Sequence, residues 1–301
     1  MAATAILMEN QTNWDKYQLV RAARPFSLVV AVAACLQGII LGWGESDQPF
    51  LLSGLILLGG ILLQFGVNLI NDYSDLDELD KLFPSASSPQ YQWLSQRIQR
   101  NFYYGLSCFA FAIVIGFCLI QLRDNNLLYL CLIGGMGAYF YTQKPINYKN
   151  RGLGVPLVFW LMGIMMIGGA YYVMSGQYSI AVFLHSLPLS LLTSLLLLSN
   201  ELRDYESDRE VGQKTLTVRL GYPRAVKLYW LILIGTYASV MILWLSNLLT
   251  FPWFILLSLL AVRTPLSLLH ASVDKRKMLT PLTGRFHGVF ALTFLSSYLL
   301  N

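Results

Sequence analysis

The spacing of charge constrains this chain more than any other feature. Lys, Arg, Asp and Glu are missing from six long stretches: 20 residues over 25–44, 24 over 48–71, 22 over 101–122, 19 over 125–143, 49 over 152–200 and 35 over 228–262. About 20 apolar residues carry an α-helix across a bilayer. The longest stretch holds two spans broken at Ser175-Gly176-Gln177. The 35-residue stretch holds two more if it breaks near Asn247 and Pro252 and runs on past Arg263. A shorter run over 286–300 adds a last. The pattern predicts an all-α integral membrane protein of about nine transmembrane helices. Composition agrees: charged residues make up 12% and mean hydropathy is +0.54, whereas a soluble domain carries roughly 25% charged residues.

Basic residues set the orientation, because loops rich in Lys and Arg stay cytosolic. With the helices numbered in order, 20 of the 21 basic residues fall at the N-terminus and in the loops after helices two, four, six and eight. Arg123 stands alone on the opposite face. The N-terminus and these loops are therefore expected in the cytosol. The net charge of +5 reflects topology and gives no reason to expect nucleic acid. Residues 1–24 are polar and lack a cleavage site after a short apolar core, so no secretory signal is expected. Cys35, Cys108, Cys118 and Cys131 lie inside the expected helices without CxxC spacing and read as buried, unpaired filler. His185, His270 and His287 are scattered and form no metal-ligand pair.

The acidic residues are concentrated. Of 16, five lie in 72–80 and five in 201–210, directly after helices two and six. At an offset of 132, Asn68, Asp72 and Tyr73 coincide with Asn200, Asp204 and Tyr205. Four helices separate the copies, an even number, so both end on the same face. This implies a parallel repeat of four helices, halves at about 20–150 and 151–270, with a last helix at about 286–300. Asn68 and Asp72 are four apart, Asp72 and Asp75 three, and Asn200, Asp204 and Asp208 four each, spacings that share one helix face. A carboxylate buried at a helix centre in the bilayer costs about 2.5–3.5 kcal/mol. Mg2+ offsets such charge, taking carboxylate oxygens and filling its remaining positions with waters and substrate phosphates. A single DxxxD is ordinarily a solvated, salt-bridged face, and Arg203 and Arg209 can pair with it. Two copies at matched helix ends, each led by an Asn inside the apolar span, point to a site.

These residues resemble the UbiA superfamily of intramembrane prenyltransferases. Arg24-Pro25 is similar to the family's opening, residues 68–75 to its first aspartate motif and 200–208 to its second. Residues 212–221 are similar to its G-x-x-T-L-x-x-x-x-G tail. Residues 139–145 and Arg151-Gly152-Leu153-Gly154 look closest to the branch that prenylates 1,4-dihydroxy-2-naphthoate in menaquinone synthesis. The resemblance implies one domain over 1–301, with helices around a central cavity that opens sideways to lipid, in the bacterial plasma membrane. It implies Mg2+ as cofactor, and a polyprenyl diphosphate, an aromatic acceptor and the bilayer as partners, with no protein partner indicated. Asp72, Asp75, Asp204 and Asp208 carry over as metal-binding and catalytic carboxylates. Asn68, Asn71, Asn200, Arg203, Lys144, Lys214, Arg24, Arg151 and Tyr141 carry over as substrate-binding groups. The basic ones have a plainer alternative as positive-inside anchors, the role expected for Arg263.

The chemistry so implied is ionisation of the diphosphate against fixed positive charge, leaving an allylic cation in a dry, aromatic-lined pocket. Tyr73, Tyr139, Tyr141 and Tyr205 lie near the expected depth. The general base stays open among Asp75, Asp77, Asp80 and Glu201. Two rivals stay open as well. A terpene cyclase on the same scaffold keeps both motifs and uses no aromatic acceptor. A secondary transporter also has internal repeats, though its sites lie at broken helices near the midplane, where this sequence has almost no ionisable residue. One departure stands out: after Gly154 the naphthoate branch typically has an acidic residue, and here the position is Val155.

Overall fold

The computed structural model describes residues 15–76, 79 and 88–299. Asp77, Asp80 and Ser87 lie outside the described residues. The described chain is all-helical: α1 (Pro25–Gly42), α2 (Pro49–Asn71), α3 (Pro89–Leu122), α4 (Asn126–Tyr139), α5 (Gly154–Ser175), α6 (Ile180–Arg203), α7 (Tyr222–Leu245), α8 (Pro252–Leu268) and α9 (Leu279–Tyr298). Six of these, α1, α2, α3, α5, α6 and α7, are long and apolar enough to cross a membrane; α4 and α8 are shorter apolar helices.

Turn chemistry sets the breaks. Pro25, Pro49, Pro89 and Pro252 begin helices, where a missing N–H costs nothing. Gly176, at φ 74°, ends α5 in a left-handed cap, and the chain re-enters the bundle at Ile180. Asn247 takes a positive φ of 55° between α7 and α8. Both breaks fall where the sequence places them.

Two boundaries differ from expectation. The α3 helix starts twelve residues before the uncharged stretch, capped by Ser88, whose Oγ accepts the Tyr91 N–H. Its 34 residues extend about 51 Å, well beyond the roughly 30 Å hydrocarbon core. Leu94 and Ile98 on the extension are buried with Tyr17 and Leu79, so packing holds a helix that charge alone would end. The last helix starts at Leu279 rather than 286. Arg285 sits on its exposed face while Thr283, Phe286 and His287 are buried, so a charge inside the helix is accommodated rather than terminating it.

The bundle packs α1 along α5, α2 along α3 and α6 along α7, with α9 against α1, α6 and α8. Without a hydrophobic force between helices in lipid, close contact depends on small residues. Gly66 and Gly105 face each other: a Cβ on either would stand 3.0–3.1 Å from the other's carbonyl oxygen. On α9, Phe286, Phe290 and Phe294 are fully buried. The cysteines are free, but only Cys35 is buried; Cys118 and Cys131 are exposed, Cys131 on the internal cavity of the bundle, correcting the expectation that all four fill the core. Arg123 donates from Nε and Nη2 to the carbonyls of Val173 and Met174, holding the end of α5.

Candidate functional site

A cavity of about 760 Å3 runs through the bundle. Its polar end is lined by Arg24, Asn68, Asn71, Tyr141, Tyr148 and Asn200. The remainder is walled by apolar side chains of α1 to α6. Over Phe159–Met165, α5 widens into a π-helical turn, and Leu161, Met162 and Met165 of that turn line the cavity. On the α3–α4 side, Ile113, Phe117, Leu128, Leu132 and Met136 line the cavity and are each exposed, so that side is not closed over by packed neighbours. The cavity therefore opens to the apolar perimeter.

The first motif is wired into the start of α1. The α-helix stops at Asn71, and Asp72–Asp75 form a 3-10 turn. Asn68 is 3% exposed; its Nδ2 donates to the Ala23 carbonyl and to Ser27 Oγ, both at 2.7 Å, and its Oδ1 accepts Gln64 Nε2 at 3.0 Å. That network fixes Arg24, which has a left-handed backbone (φ 49°) that a non-glycine residue rarely adopts. The Arg24 guanidinium meets Asp72 at 2.7 Å, and the Asp72 side chain is only 4% exposed. Asn71 Oδ1 accepts the Thr142 hydroxyl at 3.0 Å, tying the motif to the loop after α4.

The second motif bends similarly. Asp204 ends α6 and a separate helix, Tyr205–Glu210, follows. The single continuous face expected from four-residue spacing is thus broken in both copies, because each first aspartate sits at its helix terminus. Arg203 grips Asp204 with two hydrogen bonds, 2.7 and 2.6 Å, a fork geometry suited to carboxylate or phosphate. Thr215 donates to Asp208 at 3.3 Å. The Asn200 Oδ1 is buried without a hydrogen-bond partner among the described residues.

Two loops cover this end. The Lys214 N–H donates to Asn150 Oδ1 at 2.5 Å, and Arg219 donates to the carbonyls of Lys214 and Asn150. Gly152, at φ 75°, lies under Arg219; a Cβ there would stand 2.6 Å from Arg219 Cδ. Lys144, Arg151 and Lys214 are exposed, with Arg151 donating to the Pro145 carbonyl at 3.3 Å. Arg276, 3% exposed, pairs with Glu206 at 2.5 Å and lies over the Tyr222 ring, fixing the Tyr205–Glu210 helix from outside.

Of the four tyrosines singled out in sequence, Tyr139 and Tyr141 line the cavity. Tyr73 instead stacks on Phe102, and Tyr205 packs against Tyr222. Tyr148, Gln64, Ser27 and Thr142 belong to the polar end yet were not anticipated. Tyr148 packs edge-on to Tyr141, ring centroids 5.6 Å apart. Burial, and after it the Glu201 carboxylate, pushes the Tyr141 phenol well above its ordinary pKa; Arg24 opposes this and Asp208 adds to it. Arg24 at the start of α1 and two acids of the second motif thus act on one phenol.

Among the described residues no three His, Cys, Asp or Glu side chains converge as a ready-made metal cage. Mg2+ does not require one, since it is held by one or two carboxylates plus substrate phosphates. The donors here are hard oxygens of Asp72, Asp204 and Asp208, with an orphaned amide oxygen on Asn200. That set fits Mg2+.

The UbiA prenyltransferase family model matches residues 28–287. The 1,4-dihydroxy-2-naphthoate octaprenyltransferase of Haemophilus influenzae is 32% identical over 212 residues, 66% of this chain and 68% of that protein. The protein of the same description from Escherichia coli is 29% identical, covering 72% of this chain and 73% of its own. A UbiA homolog from Archaeoglobus fulgidus bound to GPP and Mg2+ shares the fold at TM-score 0.59 and 16% identity, over 94% of this chain and 98% of that one. With the family model matching residues 28–287 of its 301, this chain belongs to the UbiA prenyltransferase family and is a membrane-bound prenyltransferase.

Proposed function

We propose that the protein transfers a prenyl group from a polyprenyl diphosphate to an aromatic acceptor, with 1,4-dihydroxy-2-naphthoate as first choice. The observation that carries this is one cavity whose polar end draws residues from both motifs (Asn68, Asn71 and Asn200) and whose apolar body opens to the perimeter. That shape suits a charged head with a lipid-soluble tail. The relatives described as dihydroxynaphthoate octaprenyltransferases support the acceptor, and the neighbour bound to GPP and Mg2+ supports the donor and the metal. Nine crossings in a parallel four-helix repeat plus α9, with the motif end in the cytosol, complete the proposal.

Asp72, Asp75, Asp204 and Asp208 would hold Mg2+, which when bound neutralises charge developing on the departing diphosphate. Arg24 and Arg203 exchange their carboxylate partners for phosphate oxygens as the head group arrives. Lys144, Arg151 and Lys214 bring further positive charge from the covering loops. The C1–O bond of the prenyl diphosphate breaks and diphosphate leaves with the electron pair. Tyr139, Tyr141 and Tyr148 face the allylic cation with their π systems, and the apolar wall excludes water. A ring carbon of the acceptor then donates an electron pair to C1. For dihydroxynaphthoate, loss of the ring carboxyl as CO2 restores aromaticity.

The test combines substitution with metal removal. Asp72→Ala and Asp204→Ala each should lower turnover at least about a hundredfold, the order of loss on removing one transition-state charge stabiliser, and EDTA should abolish it. Turnover is read as prenylated product by mass, with thermal melting as the folding control. Substantial activity in either folded variant, or full activity in EDTA, refutes the site. Consumption of prenyl diphosphate with no aromatic acceptor would instead favour the cyclase reading.

A further inference from the structure

The second motif contains a group that the diphosphate site leaves unused. Glu201 follows Asn200 on the last turn of α6 and is 4% exposed. Its Oε2 accepts the Thr217 N–H at 3.0 Å, at the start of the Leu216–Leu220 turn. Its Oε1 is buried and has no hydrogen-bond partner among the described residues. Buried polar atoms are almost always satisfied, and a carboxylate oxygen left alone is among the costliest exceptions.

The position of that oxygen says what would complete it. A Cβ on Gly154 would stand 3.4 Å from Glu201 Oε1, 3.5 Å from Leu197 Cδ2 and 3.7 Å from Tyr141 Cε2. Leu197, Tyr141 and the neighbouring Asn200 all line the cavity. The orphan oxygen therefore lies behind the cavity wall rather than on it, sharing the Gly154 backbone as a neighbour with Leu197 and Tyr141, and those two side chains must part for a ligand to reach it. Arg24 and Arg203 are engaged with Asp72 and Asp204; Lys149 acts on Glu201 through space and the Leu216 and Thr217 backbone N–H groups lie beside it, but among the described residues none of the ion pairs or hydrogen bonds reaches Oε1. A second anion such as diphosphate brings acceptor oxygens where this oxygen needs a donor. A hydrogen-bond donor on a flat, electron-rich ring suits it.

We infer that Glu201 Oε1 binds a hydroxyl of the aromatic acceptor, reached between Leu197 and Tyr141, and so orients the ring toward C1 of the prenyl group. This rests on the aromatic-transfer reading above. The bond is a hydrogen bond from neutral hydroxyl to carboxylate. It donates electron density to the ring, and the hydroxyl keeps its proton. It also places an acidic group beside Gly154, next in sequence to Val155, which supplies none. Glu201 is thus an acceptor-binding group, and its hold on Thr217 is a separate structural duty of the other oxygen.

Glu201→Gln separates the two duties, since a Gln carbonyl still accepts the Thr217 N–H. In purified protein assayed with Mg2+, a long-chain prenyl diphosphate and dihydroxynaphthoate, the acceptor KM should rise about tenfold or more, the scale of a lost charge-assisted hydrogen bond. The KM for prenyl diphosphate and the melting temperature should stay unchanged. Equal changes in both KM values, or none in the acceptor KM, overturns the assignment. If Glu201→Gln does not fold, the wild type decides: a dimethyl ether of the acceptor, which cannot donate, should inhibit about tenfold more weakly than the parent binds, and equal affinity overturns the assignment. Failure of wild type to prenylate any hydroxylated aromatic would sink both this inference and the transfer reading. Prenylation with an unaffected acceptor KM in the variant would sink this inference alone.

Discussion

Placing a phenyl ring at Gly169 tests the route of the prenyl tail. Gly169 lies fifteen residues beyond Gly154 on α5, about 22 Å further along at 1.5 Å per residue, and it lines the cavity. A Cβ there meets only Leu130 Cδ1, at an ordinary contact distance of 3.9 Å, so the backbone accepts a side chain at Gly169 and the ring of Gly169→Phe takes up space in the cavity. Helix propensity favours the change, because Gly inside a helix costs roughly 0.5–1 kcal/mol relative to Ala. The effect on a long substrate follows from what the tail leaves and enters. It moves from lipid into an apolar cavity, so the hydrophobic transfer gain nearly cancels and only sterics remain. Forcing extra atoms into a filled space costs about 1–3 kcal/mol, equivalent to about fivefold to 150-fold in rate. In proteoliposomes, kcat/KM for a forty-carbon prenyl diphosphate should fall by that factor. Ten-carbon geranyl diphosphate, too short to reach Gly169, should be used as before. Equal losses on both substrates would show that the tail does not run along α5.

Two further outcomes follow from packing and topology. Gly163→Ala places a Cβ 2.6 Å from Ser190 Cα and closer still to its side chain, so α5 and α6 must separate; the thermal midpoint should drop by the equivalent of about 1–3 kcal/mol, and an unchanged midpoint refutes the close contact. A cysteine at Gln213, in a background lacking the four native cysteines, should resist a membrane-impermeant thiol reagent on intact cells and react after permeabilisation; labelling on intact cells reverses the proposed orientation.

Helix positions were legible in sequence wherever a bilayer-length run ended in turn chemistry. Gly176 and the 247–252 break behave as read because positive φ and a missing N–H act locally. Charge proved a weaker guide. Arg97 and Arg100 ride on α3 and Arg285 on α9, since a charged residue only needs to face outward and neighbouring apolar residues keep the helix going. The site was legible as motifs but not as contacts. Arg24 reaches Asp72 through a left-handed backbone that no residue type signals, and Tyr148 joins Tyr141 only because the loop after α4 folds back. Asn68 was legible as a motif residue, yet its hold on Ala23 and Ser27 spans more than forty positions. The π-helical turn in α5 left no mark in an uninterrupted apolar run. Glu201 was visible as one of several acids; its orphaned oxygen is a tertiary fact.

The side opening between α3 and α4 changes what concentration means for this protein. A tail that enters from the apolar perimeter is drawn from a two-dimensional pool, so the relevant variable is moles of prenyl diphosphate per mole of lipid. Diluting vesicles with buffer should leave the rate per enzyme unchanged. Adding empty lipid at fixed substrate, once the bilayers have mixed, should slow it as though substrate had been withdrawn. Detergent should act in the same way, as both solvent and competitor, because its alkyl chains share the apolar chemistry of the Ile113, Phe117, Leu128 and Leu132 side chains lining the cavity.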